Sequence, residues 1–358
     1  MSISGPIQVV IPERSASWAG GRNYLEVIKI AALQLEKAGV VQVINACPET
    51  KTFSANRAVL DRTMQVTELI RGLKVLNLPW PLTRFSRKSM YWIPDCQDIE
   101  LPGFFSETER RNRLNNRLQA IHSRRAIYFS SEDARDTFIN RFECIDNISG
   151  IVRFSTPVSE QPMPENDIHL NCKDCLTQGY FYLPNQWWVH KNHKIAIEAF
   201  KRYRLMGGSK HLILTGDSSD YRWPQYQDEL KSIINSIPSI HNYGFVDRDF
   251  QRFLYVNATT VLQPSLYEGW SSTVEESLSF GTPIICSDIN ILREQTLTCN
   301  DVSYFNPNSA EELTLKLLSP PKPVNSEEVL DRSNFRWQRF VSDLGETIQR
   351  SSDFTANV

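Results

Sequence analysis

Short apolar runs alternate with stretches of helical period along nearly the whole 358-residue chain. No other feature restricts its fold as strongly. Residues 7–11, 40–46, 75–78 and 126–129 read as strands. Residues 24–37, 55–70, 106–122 and 132–141 read as helices. In the first of these helices Leu25, Ile28, Ala31, Ala32 and Leu35 fall on one face. Ser106 and Glu109 form a capping box at the start of the third, and Ser131 caps the fourth. Strands separated by helices of this length are parallel and joined by crossovers, so the class is α/β. The rhythm breaks over 156–178, a polar stretch with three prolines that reads as a linker. It resumes with strand 180–183, helix 193–205, strand 211–215, helix 224–236, strand 241–245, helix 248–256 and strand 259–263. Two domains are therefore expected, 1–160 and 176–325, as is common for a chain this long. A C-terminal segment, 326–358, reads as helix, with Leu330, Phe335, Trp337, Phe340, Val341 and Leu344 as its apolar positions.

Composition removes several function classes. Hydrophobic residues make up 41% and charged residues 22%, the proportions of an ordinary globular protein. A net charge of −2 gives no reason to expect nucleic acid. No run of 18 apolar residues occurs, and the N-terminus lacks a signal-peptide pattern, so a cytoplasmic protein is expected. The seven cysteines are odd in number and scattered, which suggests reduced thiols. His190-x-x-His193 has metal-like spacing without a nearby cysteine or acid to complete a site. Cys172-x-x-Cys175 is a lone pair, so no metal site is expected. Arg110, Arg111, Arg113, Arg117, Arg124 and Arg125 crowd one helix and its exit. They form either a solvated face or a peripheral contact with anionic lipid.

Chemistry concentrates in residues 263–288. An apolar strand ends before Pro264, and a Gly269-Trp270-Ser271-Ser272-Thr273 loop leads into a helix with Val274, Leu278 and Phe280 inward. Gly281 ends the helix, with Pro283 just beyond. Glu268 and Glu276 stand eight residues apart, one in the loop and one a turn or two into the helix, so both can face one crevice. Amides at the helix start suit an anion. Lys191 lies in another loop between strand and helix, where its charge suits an anionic group. Gly20-Gly21 follows the first strand and lets backbone approach a ligand closely. No G-x-G-x-x-G or Walker lysine pattern is present.

Residues 268–276 match the E-x7-E signature of family 4 glycosyltransferases, and Gly281-Thr282-Pro283 is typical of the same family. Residues 181–193 resemble its donor-phosphate loop. Tyr91–Asp98 with Leu101–Ser106 is similar to a segment of its N-terminal domain, and Gly20–Leu25 to its glycine loop. The resemblance runs collinearly over about 7–340. It implies the GT-B fold, two Rossmann-like doubly wound parallel-sheet domains facing a central cleft, with the final helix crossing back to the first domain. It implies a retaining hexosyltransferase acting without metal or other cofactor on a nucleotide sugar, GDP-mannose or a UDP-hexose, with a glycan or lipid-linked acceptor. Polysaccharide assembly is the implied setting. Glu268, Lys191 and Asp98 would be catalytic. Gly20, Gly21, Asn185, Gln186, Lys191, Gly269, Trp270, Ser271, Ser272, Thr273 and Glu276 would bind the donor, with Glu276 on the ribose diol. Two positions depart from the family pattern. Gln186 stands where an arginine is common, and Asp98 where a histidine is common. They keep open a non-catalytic nucleotide-sugar-binding subunit, and the shared fold keeps open a sugar-nucleotide epimerase. Loop residues 79–105, with Trp80, Trp92, Phe104 and Phe105, are candidates for stacking on an acceptor sugar.

Overall fold

A computed structural model describes residues 6–11, 19–45, 75–77, 90–122, 126–143, 146–157, 174–218, 220 and 222–356. The chain divides into two compact units, one of Met1–Glu100, Ser106–Pro157 and Arg336–Val358, the other of Leu101–Phe105 and Val158–Phe335. The helix expected at 55–70, together with Cys47, Trp80, Arg124, Arg125, Cys144 and Cys172, lies outside the described residues.

In the first unit the elements run β1 (Ile7–Ile11), α1 (Ala19–Lys37), β2 (Val41–Asn45), β3 (Val75–Asn77), β4 (Tyr91–Ile93), α2 (Gln97–Glu100), α3 (Glu107–His122), β5 (Ile127–Phe129), α4 (Glu132–Phe142) and β6 (Ile148–Ile151). They make two three-stranded sheets, β2-β1-β3 and β4-β5-β6, parallel throughout. The apolar stripe of α1 is buried as its period requires, with Ile28, Ala31 and Ala32 fully enclosed. The capping box forms in both directions. Ser106 N donates to Glu109 Oε2 at 2.9 Å and Glu109 N to Ser106 Oγ at 3.2 Å.

Three expectations change here. Helix α1 starts at Ala19, so Gly20 and Gly21 lie in its first turn and not in a loop. The first-turn N–H groups have no intrahelical acceptor, which makes the weak helix propensity of glycine least costly there. Trp92 is not available to a sugar. It lies on Tyr24 with ring centroids 3.9 Å apart and 8° between planes, and its Nε1 donates to Ser130 Oγ. Phe105 is likewise buried.

The second unit runs α5 (Asp174–Gln178), β7 (Tyr180–Leu183), α6 (His193–Leu205), β8 (His211–Leu214), α7 (Pro224–Asn235), β9 (Ile240–Asn242), α8 (Arg248–Asn257), β10 (Thr260–Gln263), α9 (Ser272–Phe280), β11 (Ile284–Ser287), α10 (Asn290–Gln295), β12 (Val302–Phe305) and α11 (Ala310–Leu318). Six parallel strands pair in the order β12-β11-β10-β7-β8-β9. Every residue of β7, β10 and β11 is buried, as in a sheet covered on both faces. Alternate residues of β7 serve the two faces. Phe181 and Leu183 pack with α6, while Tyr180 and Tyr182 pack in the cluster that includes α8 and α9. The strand order reverses between β7 and β10. Open α/β sheets bind ligands beyond the carboxyl ends of the strands at such a point.

The last helix, α12 (Ser326–Ala356), begins in the second unit and belongs to the first from Arg336 onward. There Phe340, Leu344 and Ile348 join the core around α1, and Trp337 Nε1 donates to Gln34 Oε1 at 3.0 Å. Of the apolar positions of this helix, Leu330 and Phe335 are 51% and 64% exposed. Arg332 takes the inward place on that stretch. It donates to both oxygens of buried Asp301, at 2.7 and 3.0 Å, and to the Leu278 carbonyl at the end of α9. Among the described residues no helix is long and apolar enough to cross a membrane.

Candidate active site

Two loops leave the sheet at its reversal, 184–192 after β7 and 264–271 after β10. In the first, the chain makes a single 3-10 turn, Val189–Lys191, and Asn192 then adopts a left-handed conformation, φ 56°. Asparagine tolerates that region better than most residues. Its side chain donates to the Pro307 carbonyl at 2.9 Å, which holds the bend. The bend separates the turn from α6 and leaves Lys191 at the turn's end. A hydrogen bond from Leu266 N to the His190 carbonyl, 2.8 Å, joins the two loops.

The side chains these loops carry converge. Lys191 Nζ and Gln263 Nε2 each donate to Glu268 Oε1 at 2.6 Å, and Gln263 Nε2 also reaches Ser265 Oγ at 3.1 Å. Gln263 Oε1 accepts from Asn185 Nδ2 at 3.0 Å, and Asn185 Oδ1 accepts from Thr273 Oγ1 at 3.3 Å. One chain of hydrogen bonds therefore links the ends of β7 and β10 to the start of α9. Lys191 and Glu268 are nearly enclosed, with side chains 15% and 8% exposed. Behind them His193 is fully buried, its Nε2 3.2 Å from the Asn185 carbonyl. Burial drives its pKa from 6.5 to about 4, so the ring is neutral at physiological pH and donates to that carbonyl.

The neighbouring strand supplies clearance. Gly216 has φ +125°, and a Cβ there would stand 2.4 Å from the Asn185 carbonyl oxygen and 2.9 Å from Gln186 N. Only glycine allows the two backbones to pass this closely.

Helix α9 starts one turn from Glu268. Ser271 caps it, accepting from Val274 N. The Gln295 amide is clamped on the same residue, accepting from Ser271 N at 3.1 Å and donating to Ser271 O at 2.8 Å. Gln295 Nε2 and Trp270 Nε1 also donate to Glu275 Oε1, at 2.8 and 3.0 Å. Glu275 is thus not the surface charge that its sequence suggests but the buried anchor of the Gly269–Thr273 loop. Trp270 and Gly269 are half-buried and Ser272 is exposed. One turn on, Glu276 accepts from Arg248 Nη1 at 2.6 Å. Burial, first, and the Glu276 charge push the Tyr255 phenol well above its ordinary pKa. Gly281 closes the helix at φ +71°, and Thr282 Oγ1 donates to the Tyr255 carbonyl.

This arrangement offers a cation and a helix N-terminus for an anion, two acidic groups for hydroxyls, and buried partners that hold each in place.

Residues 185–319 match the family described as glycosyl transferases group 1. The match spans Asn185, Lys191, Glu268 and Glu276. This region belongs to the group 1 glycosyltransferases. Over 136 residues the chain is 29% identical to the O-antigen chain mannosyltransferase RfbU of Salmonella typhimurium strain LT2, covering 37% of this chain and 35% of that protein. Over 79 residues it is 30% identical to O-antigen chain mannosyltransferase B of Escherichia coli, covering 22% and 20%. The chain thus spans about a third or less of the curated relatives it matches. Similarity in fold extends further. A crystal structure of Anabaena HepE in complex with UDP and glucose superposes with a TM-score of 0.64 over 98% of this chain and 100% of that one, at 14% identity. The apo lipopolysaccharide outer core galactosyltransferase WaaB gives 0.57 over 98% and 99%, at 15% identity. These likenesses show the GT-B fold.

Outside the group 1 region, Asp98 is not a free carboxylate. Arg117 grips both its oxygens, at 2.7 and 2.6 Å, and both side chains are 5% exposed. Burial alone would raise the Asp98 pKa, but the Arg117 hydrogen bonds and charge, aided by Arg113, outweigh it and hold the carboxyl below its usual range. Arg113 is also occupied, on Asp95 at 3.0 Å. Of the six arginines read as one cationic face, Arg117 is therefore a buried tie and Arg113 a partly exposed one, whereas Arg110 and Arg111 are exposed. The scattered cysteines also differ from expectation. Cys96, Cys286 and Cys299 are reduced thiols, but Cys175 is disulfide-bonded.

Sequence reading missed Gln263, Glu275, Gln295 and Arg248. The strand-end Gln263 was the most accessible of these, because a polar residue closing a fully apolar strand needs a buried partner.

Proposed function

We propose that the chain is a retaining, metal-independent hexosyltransferase of polysaccharide assembly. It takes a hexose from a nucleotide sugar, GDP-mannose or a UDP-hexose, and passes it to a glycan or lipid-linked acceptor on the cytoplasmic side. One observation carries the reading. Lys191 and Glu268 form a buried, networked pair where strand order reverses, beside the start of α9 and one turn from Glu276. The mannosyl donor draws support from the two O-antigen mannosyltransferases, and the uridine alternative from HepE, solved with UDP.

In this reading Lys191 and the amides of Gly269–Thr273 hold the diphosphate. The carboxylate of Glu276 accepts from the ribose diol, replacing its bond from Arg248. Glu268 faces the hexose. Transfer breaks the anomeric C–O bond to the diphosphate and forms one to the acceptor hydroxyl, whose proton leaves on the departing phosphate. The protein contributes orientation and fixed charge rather than a covalent intermediate. Lys191 neutralises the growing phosphate charge, a task that elsewhere falls to a divalent ion.

The deciding experiment is a thermal-shift panel of GDP, UDP, ADP and their sugar conjugates, with Glu276→Ala alongside, followed by assays on the nucleotide sugar selected. Ligand at 100 times its Kd stabilises by about 2.7 kcal/mol. Glu276→Ala should abolish the shift and raise donor KM by roughly tenfold or more with a smaller loss in kcat. Transfer should survive EDTA, with the anomeric configuration retained by NMR. Donor affinity unchanged in the variant removes Glu276 from the site. Binding without turnover for any acceptor favours the non-catalytic subunit, and an epimer formed from the donor alone favours the epimerase.

A further inference from the structure

Away from the loops just described, the second unit gathers three metal-ligating side chains at the opposite ends of its strands. Cys175 lies in α5, just before β7. His211 is the first residue of β8, and His241 lies in β9, the neighbouring strand at the sheet edge. Their ligating atoms all fall within 4.8 Å of one another. The sequence reading set Cys172-x-x-Cys175 aside because nothing near it in sequence completes a site. The fold supplies the completion from residues 36 and 66 positions further on (211 − 175 and 241 − 175).

The details suit a tetrahedral cation with nitrogen and sulfur ligands. His211 Nδ1 and His241 Nε2 are 2.9 Å apart, and the rings are tilted at 33° with centroids 5.1 Å apart. Two imidazole nitrogens on one tetrahedral zinc, each about 2.0–2.1 Å from it, stand about 3.3 Å apart. The nitrogens therefore need to separate only slightly for a cation to replace the proton between them. One of those nitrogens already accepts a hydrogen bond, so its lone pair points into the cluster. Cys175 is completely buried while both histidines are partly exposed, which gives a soft ligand on the inside and an entry path on the outside.

We propose that the reduced protein binds one zinc ion through Cys175, His211 and His241, with the fourth position open to another ligand. The ion ties α5, at the entry of the second unit, to the amino ends of β8 and β9. Its role is structural and is independent of the proposed transfer chemistry at the other end of the sheet. Cys175 is disulfide-bonded in this structure, so the site exists only in the reduced state. A dithiol or phosphine supplies the two electrons that break the S–S bond, with two protons taken up. Zinc then displaces the Cys175 proton as the thiolate binds.

The test uses the full chain, reduced with a phosphine, freed of metal by dialysis against chelator and titrated with Co2+ and then Zn2+. The reduced protein should take up about one cobalt per chain with a thiolate-to-cobalt charge-transfer band, and zinc should displace it. His211→Gln and His241→Gln should each weaken binding by roughly a hundredfold. Cys175→Ser should lose the charge-transfer band, and the unreduced protein should bind no cobalt. Far-UV circular dichroism and the nucleotide thermal shift should be unchanged in the two glutamine variants, which separates loss of the ion from loss of the fold. The proposal fails if reduced protein binds no stoichiometric cobalt. It also fails if both glutamine variants bind as the parent does, which would leave only adventitious surface binding.

Discussion

Asp98 in the first unit and Glu268 in the second are both buried carboxylates held by a cation, but the two pairs are built differently. Arg117 takes both oxygens of Asp98 with its planar fork, and a further Arg117 N–H goes to the Asp95 carbonyl at 3.3 Å. Both oxygens of that carboxylate are therefore engaged by one rigid, two-pronged partner. Lys191 contacts Glu268 as a point charge, and it shares Oε1 with Gln263. A compact ammonium with three rotatable donors can turn from a carboxylate to a phosphate, whereas a bidentate guanidinium cannot do so without losing two bonds. The comparison teaches that burial and charge partner alone do not mark a site. The capacity left unused by the pair does.

Three substitutions test that contrast. Arg117→Ala should have the largest effect, a stability loss of about 3–5 kcal/mol by chemical denaturation, because it strands a buried charge. A loss near zero would show that Asp98 is hydrated and open, and the contrast would collapse. Lys191→Ala should lower kcat by about 10²–10³ while destabilising by only about 1–2 kcal/mol, since Gln263 still donates to Glu268. Equal losses of stability in the two variants would make Lys191–Glu268 another structural tie. The smallest effect should come from pH. The depressed pKa of His193 gives stability that is fully present above about 6.5 and lost as pH falls towards about 4, because the unfolded chain binds a proton there that the buried ring refuses. The loss is on the order of 3 kcal/mol at most. That share should vanish in His193→Gln, leaving only the smaller slope from His211 and His241, whose pKa values burial also lowers. The Asp98 pair should contribute nothing to the slope there, because its carboxyl stays charged to lower pH. A slope unchanged by His193→Gln would show that the ring is already protonated or solvated.

From β7 to β11 the helices and strands of the second unit were legible to within a few residues, because each has a strong period and a clear stop, whereas α5, α10, β12 and α11 were not read. Helix α6 matches its sequence reading at both ends, and Gly281 closes α9 as its position implied. Glu268, Glu276 and Lys191 were legible as candidates through the eight-residue spacing of the two glutamates, the loops that follow two strands and the resemblance to the family's motifs. Glu275 and Glu276 show the limit. They are adjacent in sequence and alike in chemistry, yet one is bound to Gln295 and Trp270 and the other to an exposed arginine. The partner of Asp98 was hidden for the same reason, since it lies 19 residues away on α3.

By itself the sequence determined the α/β class, the elements of the second unit from β7 to β11 and the residue types at the loops beyond those strands. Those follow from local period, caps and turn chemistry, which act over a few residues. Tertiary structure alone decided which charges are spent and which are left to work. It closed Arg117 on Asp98, left Lys191 able to turn, made Glu275 an anchor and brought His211 and His241 to Cys175. Hydrogen bonds and desolvation depend on atoms a few ångströms apart in space, and sheet pairing sets those distances between segments far apart in the chain.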